Sequence, residues 1–78
     1  PQTVIRFQMP ERAAVEISIY NPAGQRVRTL VRGELESGKH RVRWDGRDRA
    51  GRGLASGAYF YRMKAGDFVD TRALTLLK

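Results

Sequence analysis

Seventy-eight residues, 41% of them hydrophobic and 29% charged, suffice for one folded domain and not for two. Without a cysteine, no disulfide or thiolate metal site can brace so small a core. The net charge of +7 admits an acidic partner, yet the basic residues are scattered, and no apolar run approaches the roughly 20 residues that span a bilayer.

The chain opens on alternation. From Thr3 to Met9, Ile5, Phe7 and Met9 fall on one side and Val4, Arg6 and Gln8 on the other, which is the period of a half-buried strand. Pro10 ends it, because proline offers no N–H and holds the residue before it extended. Ala14 to Tyr20 alternates again, with Val15, Ile17 and Ile19 opposed to Glu16, Ser18 and Tyr20. Packed β-branched residues argue against a helix there.

Asn21-Pro22-Ala23-Gly24 is a turn and, with strands on both sides, a hairpin. The return strand runs from Gln25 to Val31, with Val27 as its best core residue. Leu30 and Val31 break the alternation, which predicts a bulge or strand end near Thr29. Arg32 to Gly38 reads as a polar connection with Leu35 as an apolar plug.

Lys39 to Asp45 is another strand, placing His40, Val42 and Trp44 on one face and Lys39, Arg41 and Arg43 on the other. Trp44, the single tryptophan, is expected in the middle of the core. A Gly-rich loop covers 45–53. The stretch Leu54 to Gly66 then carries a central strand, closed by Gly57 and Gly66, with Tyr59, Tyr61 and Met63 on its core side. Gly66-Asp67 is a tight turn. Phe68 to Lys78 is the last strand, with Leu74 and Leu76 inward. The predicted core therefore includes Phe7, Ile17, Val27, Val42, Trp44, Tyr59 and Tyr61. About seven short strands and no helix predict an all-β, Ig-like antiparallel β-sandwich.

Catalytic chemistry finds little support. Ser18, Ser37 and Ser56 have no partners for a nucleophile, and His40 is the only histidine, so neither a catalytic residue nor a cofactor is expected. Asp45 and Asp48 lie in a Gly-rich loop that could attract calcium, but Arg47, Arg49 and Arg52 sit among them and no closing glutamate follows. The structural alternative has both carboxylates accepting backbone N–H bonds. Arg6, Arg41, Arg43, Arg62 and Lys64 could line up on one outer face as a nucleic-acid surface. Only Tyr20 and Phe60 could serve such a surface as stacking aromatics.

Three segments together carry a family resemblance: Tyr20 to Val31, Gly38 to Gly46 with Gly51 and Leu54 to Arg62, and Thr71 to Lys78. They resemble the small Ig-like domains at the C-terminus of many secreted bacterial proteins, over nearly the whole chain. Two subgroups share the pattern. One is the type IX secretion sorting domain; the other is the Ig-like domain similar to that of the flagellar hook-capping protein. Asn21-Pro22, and Ala73 where a lysine is frequent, depart from the pattern.

The sorting resemblance implies a non-catalytic handle at the end of a larger secreted protein. Its partners would be a passenger domain on the N-terminal side and the outer-membrane secretion machinery, and its route would run through the periplasm to the exterior or cell surface. A start at Pro1 rather than methionine fits a piece of a longer chain. Gly57, Tyr59, Gly66, Leu74, Leu76, Leu77 and Lys78 are the residues that this resemblance assigns to receptor recognition. Nucleic acid and membrane insertion are not expected. A structural or adhesive Ig-like module, on acidic polysaccharide for instance, stays open as the alternative, with a basic nucleic-acid binder behind it.

Overall fold

A computed structural model describes residues 3–77. Six strands form, one for each segment read as a strand: β1 (Thr3–Met9), β2 (Ala13–Tyr20), β3 (Arg26–Leu35), β4 (Gly38–Trp44), β5 (Gly57–Ala65) and β6 (Phe68–Leu76). The stretch from Arg32 to Leu35 departs from expectation. It reads as a polar connection because Arg32 and Glu34 are charged, yet Arg32, Gly33, Glu34 and Leu35 pair with Glu16, Val15, Ala14 and Ala13 and prolong β3. Charged residues are tolerated there because they occupy the outer face of an edge strand.

The strands form two antiparallel sheets. One is a ribbon of β1 and β4; the other holds four strands in the order β3-β2-β5-β6. β5 and β2 are the interior strands, as expected of a Tyr59–Met63 run with one fully apolar face. The core lies between the sheets: Ile5 and Met9 from β1, Val15, Ile17 and Ile19 from β2, Trp44 from β4, Tyr59 and Met63 from β5, and Leu76 from β6. Phe7, Val27, Val42, Leu74 and Tyr61 pack against this cluster while only half-buried.

Trp44 is wholly buried, and its indole N–H donates to the Arg47 carbonyl at 3.0 Å. Tyr59 meets it edge-on, with ring centroids 5.4 Å apart, and donates its hydroxyl to the Ala55 carbonyl at 2.7 Å. Each polar atom of the two core aromatics is thus satisfied at the rim, which is what allows the rings inside.

The hairpin turn forms as its residues require. Gly24 N–H donates to the Asn21 carbonyl at 2.9 Å, the Asn21 side chain accepts from Gln25 N–H at 2.9 Å, and Gly24 takes φ +83°. Two register shifts follow in β3, one opposite Ile17/Ser18 that leaves Leu30 unpaired and one opposite Ile19/Tyr20 that leaves Val27 unpaired. The second shift has a visible use: the Val27 carbonyl accepts the N–H of Arg49 at 3.0 Å, tying the long loop to the sheet.

Candidate functional site

The two carboxylates that could invite a metal are already occupied. Asp45 accepts the Arg47 backbone N–H at 3.0 Å and the Arg28 guanidinium at 3.0 Å. Asp48 accepts the N–H groups of Ala50 and Arg52, at 2.9 and 3.0 Å, and the Arg52 side chain at 3.1 Å. Desolvation pushes the Asp45 carboxyl up, but the Arg47 N–H and the Arg28 charge outweigh it and hold the group below its ordinary value. At Asp48 the Arg52 N–H has the largest effect and holds that carboxyl low as well. These bonds build the 45–53 loop as an Asx-type scaffold. Among the described residues, no three His, Cys, Asp or Glu side chains group as metal ligands.

His40 stacks on Phe7 at 5.4 Å, and its Nε2 lies 2.7 Å from the Glu36 carbonyl. Both groups belong to the ribbon end, where the chain leaves β3 for β4 at Glu36-Ser37.

The basic residues do not share one face. Arg6 stands directly opposite Arg41, and Arg43 opposite Val4, on the outer side of the ribbon, with Lys39 opposite Gln8 beside them. Arg62 and Lys64 belong to β5, on the outer side of the other sheet. A single nucleic-acid surface built from all five is therefore ruled out, because the two outer faces point away from each other. Tyr20 and Phe60 do lie side by side, opposite one another in register, but on the four-stranded sheet, away from the Arg6–Arg41 group. Among the described residues, six of the eight acids form ion pairs, and none of the six is on the ribbon. Among the described residues, Arg6, Lys39 and Arg41 therefore have no ion-pair partner.

The residues assigned to recognition occupy distinct positions. Gly57 opens β5 opposite Leu76. Gly66, at φ +59°, makes the turn at the other end of β5, about 30 Å away for a strand of this length. Tyr59 is buried and Leu74 half-buried. Leu76 is wholly buried against Gly46, whose left-handed φ of +76° and missing Cβ leave room for the leucine methyls. Leu77 is 72% exposed, past the end of β6. Lys78 lies outside the described residues. Leu77 and Gly66 are thus exposed, whereas Tyr59 and Leu76 belong to the core.

Two exposed residues of β6 escaped the sequence reading: Phe68 is 58% exposed and Val69 46%. The broken alternation at Phe68-Val69 was the available signal, since both residues cannot face one core. Phe68 also lines a cleft of about 590 Å³ with Met9, Pro10, Ala13 and Met63, where the two sheets part at the Gly66 end.

Two antiparallel sheets packed over a Trp-centred core define an Ig-like sandwich, in which backbone N–H groups and arginines hold both acids of the 45–53 loop. The chain belongs to the FlgD Ig-like domain family, whose model matches residues 2–67. The fold is similar to that in the crystal structure of FlgD from P. aeruginosa, with a TM-score of 0.76 and 21% sequence identity. The match covers 96% of this chain and 59% of the other, so this chain spans less than two thirds of that protein. No curated relative matches the chain.

Proposed function

We propose that the domain is a non-catalytic attachment module of an exported bacterial protein, and that β6 with Leu77 is the handle read by an outer-membrane secretion machinery of the type IX kind. The observation that carries this reading is the exposed apolar end strand. Among the described residues, three of the four exposed large hydrophobics, Phe68, Val69 and Leu77, lie on β6 or directly after it. β6 is also the unpaired edge of the four-stranded sheet, where a receptor can add a strand. Folding without cofactor or disulfide suits a module that must assemble after crossing the inner membrane.

Removing Leu74 to Lys78 is a poor test, because it takes away the buried Leu76. Point changes at exposed residues keep the fold. A reporter fused to residues 1–78 in a host with the type IX route is expected to reach the exterior, and Phe68→Ser with Leu77→Asp is expected to retain it in the periplasm. Export of both fusions at equal levels overturns the sorting reading.

The uncompensated Arg6, Lys39 and Arg41 support a second reading, adhesion to an acidic polysaccharide. Retention on a polyuronate column that is lost in the Arg6→Ser/Arg41→Ser variant supports it. Retention unchanged by these substitutions sinks it.

A further inference from the structure

We propose that β6 is a homotypic pairing edge, through which two copies of this chain join their four-stranded sheets into one continuous sheet. The proposal does not rest on the sorting reading, since its readout is the association state of the purified protein.

The two edges of the four-stranded sheet are built differently. β3 is blunted: it carries two register shifts and the charges of Arg26, Arg28, Arg32 and Glu34. Those are the devices that keep an edge from recruiting strands. β6 lacks the register shifts, and its two charges, Asp70 and Arg72, are of opposite sign. It pairs with β5 over nine residues, without a register shift and without a proline. Its exposed apolar residues lie at Phe68 and Val69.

β6 is also self-complementary. When two copies run antiparallel with Thr71 opposite Thr71, Asp70 of each copy faces Arg72 of the other. Phe68 then faces Leu74, and Val69 faces Ala73. Directly opposed residues share a face, so the apolar pairs cover one another and the charges alternate in sign. Sliding by one residue would turn the core face of one copy toward the outer face of the other. Sliding by two sets Asp70 against Asp70 or Arg72 against Arg72. Only the Thr71-centred register pairs the opposite charges while keeping the two core faces on the same side. Within one chain Arg72 already holds Asp70 at 2.7 Å. Pairing thus adds neighbours of opposite charge to a couple already on the sheet. The same couple disfavours an unrelated apolar strand, which would desolvate both charges with no answering partner.

The absence of cysteine makes the register directly testable. Across an antiparallel pair, opposed Cα atoms lie about 5 Å apart, within disulfide reach. Thr71→Cys is therefore expected to oxidise to a covalent dimer. Val69→Cys is not, because its counterpart lies four residues away, about 13 Å along the strand. In sedimentation equilibrium the wild-type chain is expected to reach twice the monomer mass with rising concentration. Asp70→Arg and Arg72→Asp are each expected to lose roughly tenfold or more in self-association, because like charges then face each other. An equimolar mixture of these two variants is expected to recover the dimer, since each supplies the charge the other lacks. A monomer at all concentrations overturns the proposal. So does a dimer that both single variants retain, or a Val69→Cys cross-link as efficient as that of Thr71→Cys.

Discussion

At the scale of single residues, Trp44 decides whether the sheets hold together. It is wholly buried, donates to the Arg47 carbonyl and takes the edge of Tyr59, so it joins the ribbon, the loop and β5. Trp44→Ala is expected to cost about 3–5 kcal/mol in chemical denaturation, much of what so small a domain has. A loss under about 1 kcal/mol would show that the site collapses around the gap. Asp45 and Asp48 make a second residue-level prediction. Both bind their proton less readily in the folded chain than at the ordinary value of 3.8. Their contribution is complete above that value and is lost as pH falls through it toward their lower folded values. Denaturation midpoints followed from about pH 6 to about pH 2 should fall in that acid window, and Asp48→Asn should flatten the fall. An unchanged slope in the variant would place the acid sensitivity elsewhere. The Trp44 plug was legible from the sequence, because a lone tryptophan on a face with His40 and Val42 has few other places to go.

At the scale of elements, the ribbon carries a built-in repulsion. Arg6 and Arg41 stand directly opposite each other with no acid between them. Like charges in that relation destabilise a strand pair. Arg41→Glu is expected to raise stability by about 0.5 kcal/mol, read as an upward shift of the denaturant midpoint. A decrease would mean that the two guanidinium groups splay into solvent without feeling each other. A repulsion kept in so small a protein makes sense if the face meets an acidic partner. The alternation in β1, β2, β4 and β5 was readable at period two. The extension of β3 was not, because Arg32, Gly33 and Glu34 have the composition of a loop. Only their pairing with Val15 and Glu16, remote in sequence, makes them a strand.

At the scale of the whole molecule, a net charge of +7 over 78 residues leaves long-range repulsion that the ion pairs among the described residues offset only locally. Screening reaches charges farther apart than a Debye length, about 10 Å at 0.1 M salt. Raising sodium chloride from about 0.01 M to about 0.5 M is expected to increase the thermal midpoint, and the gain from Arg41→Glu should shrink over the same range. Destabilisation by salt would show that the ion pairs outweigh the repulsion. The division of the cations between two outer faces is also a whole-molecule property. Period two says which side of its own strand Arg62 takes, but not which sheet that strand joins.

The sequence alone determined the alternating strands, the Asn21–Gly24 turn and the inward position of Trp44, because these depend on neighbours within a few residues. Tertiary structure decided how the strands divide between a two-stranded ribbon and a four-stranded sheet. It also decided which glycine accommodates Leu76, and that β6 ends as an open edge with Phe68 and Val69 uncovered. Those outcomes depend on hydrogen bonds and contacts between residues far apart in the chain, and no local period encodes them.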